Sequence, residues 1–243
     1  MSDSEDEFHG QQKVCVIGDS NTGKTSLIRR YCVENSCFNE QVTPTAGVDF
    51  YIREEIVLQC KDPVKNKNKE LRTSLKICDI GGKCSKGTKM FASYLHGANI
   101  IILVYDVTNM KSFENLSKWI ELAKNQNVGK NIFYAVLGNK NDLEHQRAVR
   151  LDKTESFCKK HAIQDYLLSA KSGDGITSAF HDVIAAYHGF QLIEKNLILT
   201  QNKIVQSENE GTIINAAQQN ETNDINNTEY NKKSKISSVC SLQ

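Results

Sequence analysis

The chain has 243 residues, of which 39% are hydrophobic and only two are proline, and this suits one globular domain with some chain to spare. Its formal net charge of +1 argues against a protein that binds nucleic acid through a general basic surface. The eight cysteines are scattered without a C-x-x-C pair, which favours reduced thiols in the cytoplasm over a disulfide framework.

The first segment, residues 1–11, is acidic and polar, and we expect it to be disordered. It lacks the basic-then-apolar order of a signal peptide. Beyond it, residues 12–195 read as one α/β domain in which apolar strands alternate with amphipathic helices. The predicted strands are 13–18, 100–106, 132–140 and 165–171, and the predicted helices are 25–34, 112–126, 152–162 and 176–192. This alternation predicts a mostly parallel sheet with helices on both faces.

Two further strand candidates, residues 49–60 and 70–80, follow each other without a helix between them. They predict one antiparallel hairpin at an edge of the sheet, which brings the sheet to six strands. The connection KDPVKNKNK (61–69) is charged and rich in turn-forming residues, so we expect a long loop with solvated lysines. A role for these lysines in partner binding is the alternative.

The segment GDSNTGKT (18–25) follows the first strand and opens the first helix, and it has the form G-x-x-x-x-G-K-[ST]. Its glycines let successive backbone N–H groups point at phosphate oxygens, and the helix start adds a positive dipole end. Lys24 supplies a charge for the β- and γ-phosphates, and the hydroxyl of Thr25 suits Mg²⁺. This motif alone leaves ATP and GTP open.

The segment GNKNDL (138–143) follows an apolar strand and indicates which base is bound. The carboxylate of Asp142 can accept hydrogen bonds from guanine N1–H and its exocyclic amino group, which adenine does not offer in that arrangement. The tripeptide SAK (169–171) stands at another strand end, where the Ala170 amide could meet the guanine O6. These segments favour guanine over adenine.

Two loop segments are candidates for sensing the γ-phosphate. In DIGG (79–82), Asp79 can hold Mg²⁺ and Gly82 can turn its N–H toward the phosphate. In TPTAGVDF (43–50), the hydroxyl of Thr45 could bind Mg²⁺ and its N–H could contact the phosphate. GTP would order both loops and hydrolysis would release them. The predicted nucleotide-binding set is Gly18, Asp19, Ser20, Asn21, Thr22, Gly23, Lys24, Thr25, Ser26, Phe38, Thr45, Asp79, Gly82, Asn139, Lys140, Asp142, Ser169, Ala170 and Lys171, with Thr25, Thr45 and Asp79 as the Mg²⁺ ligands.

These motifs, in this order, resemble the Ras superfamily of small GTPases over residues 13–192. TAGVDF and Ser20 are similar to the Rab family, and the acidic start, DIGG and the ending CSLQ resemble its Rab-twenty-eight subgroup. The resemblance implies a monomeric GTP hydrolase that works with effectors, an exchange factor and a GTPase-activating protein in membrane traffic, and the subgroup suggests cilia or endosomes. It also implies that Phe38 covers the guanine face; alternatively, Phe38 anchors its loop to the core.

The sequence departs from the family pattern at two positions. Lys83 stands where the family has the glutamine that orients the attacking water, so we predict slow intrinsic hydrolysis in a catalytic set of Lys83, Gly82 and Thr45. A lysine ammonium donates hydrogen bonds but accepts none, so it cannot reproduce what an amide does there. Cys78 replaces a tryptophan that commonly contributes to the effector surface, which implies altered partner choice.

The final residues, 196–243, are rich in Asn, Gln, Ser and Thr, and we expect a disordered tail. The ending CSLQ fits C-a-a-X, so a prenyltransferase would attach a lipid, farnesyl by the final glutamine, to Cys240. KKSK (232–235) would add attraction to an anionic leaflet. With no apolar run of the roughly 20 residues needed to span a bilayer, we expect a peripheral protein on the cytoplasmic face of a membrane.

Three hypotheses follow from these features. The first is a nucleotide-gated switch that hydrolyses GTP slowly. The second is a GTP-loaded scaffold that scarcely turns over because of Lys83. The third is an ATP-using phosphotransferase, which Asn139 and Asp142 speak against. Nucleotide competition separates the third from the others, and the rate of hydrolysis separates the first two.

Overall fold

The computed structural model describes residues 8–33, 38–39, 41–84, 89–125 and 132–193. The predictions for residues 1–7 and for the tail with Cys240 lie outside this part of the chain. The strands are β1 (Phe8–Ile17), β2 (Val48–Asp62), β3 (Lys67–Ile80), β4 (Ile100–Asp106), β5 (Phe133–Asn139), β6 (Gln164–Leu167) and β7 (Gln191–Leu192). The helices are α1 (Lys24–Cys32), α2 (Lys89–Leu95), α3 (Met110–Glu114), α4 (Leu116–Asn125), α5 (Leu151–His161), α6 (Ile176–Tyr187) and a 3-10 helix over Asn141–Gln146.

All seven strands form one sheet in the order β6-β5-β4-β1-β3-β2-β7. The pairs β1–β3, β1–β4, β4–β5 and β5–β6 are parallel, whereas β2–β3 and β2–β7 are antiparallel. Every residue of β4 is buried, as its uninterrupted apolar sequence indicates for a strand covered on both faces. The predicted α/β fold is confirmed, with its antiparallel hairpin between β2 and β3.

Side chains that alternate along the strands build one core on each face of the sheet. On β1, Val14 and Val16 pack into the cluster with α1 and α6, whereas Cys15 and Ile17 pack into the cluster with α2, α3 and α4. This alternation follows from the two-residue period of a strand. Because both faces are covered, the carboxyl ends of the parallel strands remain the open edge for a ligand.

The carboxyl-terminal end of the domain differs from the prediction, because the sheet has a seventh strand. The predicted helix 176–192 ends at Tyr187, and Gly189 takes a left-handed backbone conformation with φ of 77°. The chain then reverses so that Gln191 and Leu192 pair with Lys61 and Cys60 of β2. Two residues are too few to show the alternation by which a strand is predicted.

The prediction of a long loop over residues 61–69 was wrong, because β2 and β3 continue through most of this segment. Lys67 pairs with Asp62, which leaves a turn of residues 63–66. The Asp62 carboxylate accepts hydrogen bonds from the backbone N–H groups of Val64 and Lys65 at 2.8 and 3.0 Å and so closes the turn. Backbone pairing holds this ribbon without the apolar alternation that marks a strand in the sequence.

At the other end of the sequence, β1 begins at Phe8, so residues 8–11 join the sheet ahead of the predicted boundary at residue 12. Phe8 pairs with Arg72 of β3. Among the residues that the structure describes, no helix combines the length and the apolar character needed to cross a bilayer.

Candidate functional site

A cavity of about 450 Å³ opens at the carboxyl ends of the parallel strands, where α/β sheets bind ligands. Most of the predicted site residues line it, namely Ser20, Asn21, Gly23, Lys24, Thr25, Ser26, Phe38, Thr45, Gly82, Lys83, Asn139, Lys140, Asp142, Ala170 and Lys171. The other predicted residues each form a hydrogen bond with one of those, namely Gly18, Asp19, Thr22, Asp79 and Ser169. The structure therefore brings the separate motifs together around one space.

The loop from β1 to α1 places a buried ammonium group against this cavity. Lys24 is only 6% exposed, and its Nζ donates to the backbone oxygens of Gly18 and Asp19, both at 2.9 Å. Burial lowers the pKa of Lys24 to about 8, although the carboxylates of Asp79 and Asp19 oppose that shift. A cation held at the start of a helix is an arrangement for binding phosphate.

The tight fit of this loop depends on Gly23. Its φ of 87° lies in the left-handed region, and a Cβ there would stand 2.2 Å from Nδ2 of Asn139. Asn139 uses that same amide nitrogen to donate to the Thr22 oxygen at 2.8 Å. This loop, residues 18–25, which we call the phosphate-type loop, is thus in direct contact with the carboxyl end of β5.

The side chain of Asp19 connects the loop between β1 and α1 to the core of the domain. Its carboxylate accepts hydrogen bonds from Nδ2 of Asn115 at 2.6 Å and from the indole Nε1 of Trp119 at 2.9 Å. Trp119 is fully buried in α4, so these bonds tie the loop to the core. Neither donor was predicted from the sequence, although a core tryptophan needs a partner for its N–H.

The three predicted Mg²⁺ ligands converge. The Asp79 Oδ2 accepts hydrogen bonds from the hydroxyls of Thr25 at 2.5 Å and Thr45 at 3.1 Å, and the two hydroxyls lie 3.1 Å apart. The other carboxylate oxygen, Oδ1, is buried and has no hydrogen-bond partner among the described residues. Burial raises the pKa of Asp79, while its hydrogen bond with Thr25 and the charge of Lys24 lower it.

This donor set fits a magnesium ion. Mg²⁺ takes hard oxygen ligands and few protein carboxylates, and the site offers one carboxylate and two hydroxyls beside the phosphate-type loop. A buried carboxylate oxygen without a partner is costly unless a cation or a donor satisfies it. The orphaned Oδ1 of Asp79 is therefore consistent with a cation between these three side chains.

The predicted catalytic residues lie on the same cavity wall. A Cβ on Gly82 would stand 2.3 Å from the backbone nitrogen of Ser20, so only glycine lets this segment approach the phosphate-type loop so closely. Lys83 follows directly and is exposed, and it lines the cavity with Thr45. All three therefore line the same cavity as Lys24, and their contact with a γ-phosphate stays a prediction.

The opposite end of the cavity carries the predicted base pocket. The Oδ1 of Asp142 accepts from the Ser169 hydroxyl at 2.6 Å, which fixes the carboxylate at the rim. The Oδ1 of Asn139 accepts from the Ala170 N–H at 3.0 Å. The amide expected to meet guanine O6 thus already bonds Asn139, and its contact with a base stays a prediction.

The remaining base-pocket residues have additional partners. The ammonium of Lys140 pairs with the Asp106 carboxylate at 2.6 Å, and Asp106 lies opposite Asn139 in the β4–β5 register. Asp106 was not predicted as a site residue, although it ends an apolar strand at the edge of the sheet where ligands bind. Phe38 lines the cavity and also packs against the main core, so both of its predicted roles are compatible with its position.

Other cavity residues were not predicted, and they are Asn39, Val42, Thr43, Pro44, Gly81 and Leu143. Most of them adjoin predicted residues, so proximity along the chain was the signal available. Cys78 is completely buried beside Cys15 of the neighbouring strand, and it packs in the cluster with α2. Its side chain therefore belongs to the core and does not reach the surface, so any effect on partner choice would be indirect.

Comparison with known proteins agrees with this site. Residues 13–188 match the model of the Ras family. The chain is 30% identical to "Ras-related protein Rab-28" of Caenorhabditis elegans over 236 residues, which cover 95% of this chain and 85% of that relative. It is also 36% identical to "Ras-related protein Rab-13" of Rattus norvegicus over 168 residues, covering 69% and 75% of the two chains. The chain belongs to the Ras family of small GTPases, which are guanine-nucleotide-binding hydrolases, and its relatives are Rab proteins of vesicle traffic.

Proposed function

We propose that the cavity binds GTP and GDP, with the base at Asn139 and Asp142 and the phosphates at the loop of residues 18–25. The observation that carries this proposal is that one cavity holds a positive charge at one end and a negative charge at the other. The ammonium of Lys24 is buried at the phosphate end, and the carboxylate of Asp142 is held by Ser169 at the base end. Phosphate oxygens suit the first, and the guanine N–H donors suit the second.

Thr25, Thr45 and Asp79 are the proposed holders of Mg²⁺, and the orphaned oxygen of Asp79 supports that role. When bound, Mg²⁺ would neutralise charge on the β- and γ-phosphates. Thr45 and Gly82 belong to two segments in backbone contact, because the Gly81 N–H donates to the Gly47 oxygen at 2.8 Å. A γ-phosphate that engages both segments would order one continuous surface, which effectors could recognise.

Nucleotide competition tests this proposal directly. With fluorescently labelled GDP on the purified protein, we expect unlabelled GDP and GTP to displace it and ATP to fail at a thousandfold higher concentration. Chelation of Mg²⁺ by EDTA should speed release of the labelled GDP, because the phosphates lose their counter-charge. If ATP displaced the labelled GDP at the same concentrations as GTP, the assignment of guanine would be wrong and the phosphotransferase hypothesis would be restored.

Lys83 makes slow hydrolysis part of the proposal. Its side chain is exposed at the cavity wall, where a lysine can donate to phosphate but cannot accept a proton from water. The second candidate function, a GTP-bound scaffold with little turnover, rests on the same residue. Both candidates would recruit effectors and use an exchange factor; only the first depends on a GTPase-activating protein to end the signal.

We further propose that the GTPase domain, predicted as residues 12–195, also includes the start of β1 from Phe8, and that the tail, 196–243, carries a prenyl group on Cys240 for membrane traffic at a ciliary or endosomal membrane. The CSLQ ending supports this. In cells, Cys240→Ser should move the protein from the membrane to the soluble fraction. Gln243→Leu should keep it on membranes but exchange farnesyl for geranylgeranyl, which mass spectrometry of the terminal peptide detects. A Cys240→Ser variant that stays on membranes would contradict the anchor.

A further inference from the structure

The β2–β3 hairpin ends in a positively charged projection, residues 61–70, which we name the basic finger. It is a paired ribbon closed by a four-residue turn and not a loose loop. The basic finger carries four lysines against two carboxylates, and these residues are Lys61, Lys65, Lys67, Lys69, Asp62 and Glu70. Lys67 and Lys69 stand two residues apart on β3 and share one face of the ribbon, whereas Lys61, paired with Asn68, lies on the opposite face. Because the ribbon is already paired, Lys65 and Lys67 can meet a charged surface at little cost in backbone order.

The two carboxylates of the finger already have partners within the hairpin. Asp62 accepts from the turn amides, and these bonds, first that of Lys65, lower its pKa. Glu70 accepts from Nε of Arg72 at 2.6 Å and from Nε2 of Gln59 at 2.8 Å. Both acids stay ionised and offset two of the four lysines, so the finger carries a formal net charge of +2.

The apex of the finger is apolar. Val64 is 91% exposed, more than any other large hydrophobic side chain among the described residues, and exposed Pro63 precedes it. One exposed valine alone is ordinary. An apolar apex next to Lys65 and Lys67 is different, because it matches a lipid interface, where an apolar tip enters between headgroups and ammonium groups meet anionic ones.

The position of the finger also favours a lipid surface as its partner. The last described residue, Ile193, donates its N–H to the Gln59 oxygen at 2.8 Å, so the described part of the chain ends beside the base of the finger. Val64 lies three residues beyond Lys61, or roughly 10 Å at strand spacing. In contrast, Asp79 at the cavity lies twelve residues along β3 from Lys67, or roughly 40 Å.

We propose that the basic finger is a second membrane contact, which docks on an anionic leaflet through Lys65, Lys67 and the apex at Val64. Together with a lipid on the tail, it would set the domain upright on the membrane, with the nucleotide cavity and its loops at the far end. A contact of this kind leaves the effector-facing loops accessible in both nucleotide states. The inference rests on the proposed membrane role of the tail, but its own chemistry needs no lipid modification.

Vesicle binding of the full, unprenylated chain tests the finger. With phosphatidylcholine vesicles that contain phosphatidylserine, Lys65→Gln/Lys67→Gln should weaken partitioning by about twenty-five-fold, since each lysine near such a surface contributes about a factor of five. The matched control, Lys153→Gln/Lys160→Gln, removes two exposed lysines from α5 and should change partitioning by less than twofold. Vesicles of phosphatidylcholine alone should bind none of the three proteins appreciably.

A second variant reports contact at the apex itself. Val64→Trp adds a tryptophan where the chain otherwise has only the buried Trp119. Brominated lipids should quench the new fluorescence in the anionic vesicles and leave the wild-type signal unchanged.

Equal partitioning of the finger and control variants, or no quenching at the apex, would overturn the proposal. Nucleotide affinity, measured on the same proteins, distinguishes failure of the finger proposal from failure of the proposed function. A finger variant that binds GDP normally and partitions like the wild type refutes the finger proposal alone. A wild type that fails to bind GDP refutes the proposed function.

Discussion

Replacing Asp142 with asparagine is expected to weaken the binding of GDP and GTP by roughly 10⁴-fold, because the site is built to accept hydrogen bonds from the base. In the structure, one oxygen of this carboxylate accepts from the Ser169 hydroxyl at 2.6 Å. An asparagine can keep that bond through its own oxygen, and its NH₂ group then takes the other position. Guanine would meet a donor with its own donors, and the buried polar groups would remain unpaired.

The same argument predicts a gain for a different base. Xanthine carries a carbonyl oxygen where guanine has its exocyclic amino group, so the asparagine NH₂ would find an acceptor. We therefore expect Asp142→Asn to prefer xanthosine diphosphate over GDP, whereas the wild type prefers GDP. Titration of both labelled nucleotides on both proteins measures the two preferences.

A matched control separates base recognition from a general loss of charge. Asp152 is an exposed carboxylate on α5 that pairs with Arg150 at 3.1 Å and is not among the residues that line the cavity. Asp152→Asn should bind GDP like the wild type. If Asp142→Asn also kept its GDP affinity, the base would lie elsewhere in the cavity and the assignment of Asp142 would be wrong.

The fold was predictable from the sequence where local patterns repeat over enough residues. Near-continuous apolar runs such as 100–106 give buried parallel strands, and the crossover helices between them place the strand ends at one edge. The site could be anticipated for the same reason, since the motifs at 18–25 and 138–143 both follow such strands. Their meeting in one cavity is a consequence of topology and not of contacts visible in the sequence.

Features that depend on short elements or distant partners were not predictable. Helix α2 has seven residues with only Phe91 and Leu95 buried, too little for a helical period to show. The bonds that Asp19 accepts from Trp119 and Asn115 join residues about a hundred positions apart. No local pattern specifies such a pair, because each partner alone is an ordinary polar or core residue.

Replacing Lys83 with glutamine is expected to raise the rate of GTP hydrolysis at least tenfold, and up to roughly 10²-fold, the scale of one well-placed polar group at a reacting centre. Lys83 lines the cavity wall directly after Gly82, whose backbone lies against Ser20 of the phosphate-type loop. The glutamine amide can accept from an attacking water and donate to the γ-phosphate at once. The lysine ammonium can only donate, so the water is left without an acceptor to orient it.

Single-turnover hydrolysis on GTP-loaded protein measures this effect without nucleotide exchange. Lys89→Gln, which removes an exposed positive charge at the start of α2, is the matched control and should hydrolyse GTP like the wild type. A slow wild type that Lys83→Gln accelerates would mean that Lys83 holds the switch in its GTP state until a partner supplies the missing acceptor. A wild type that already matches its glutamine variant would mean that another group positions the water. In that case the scaffold hypothesis loses its basis, because it depends on Lys83 to prevent turnover.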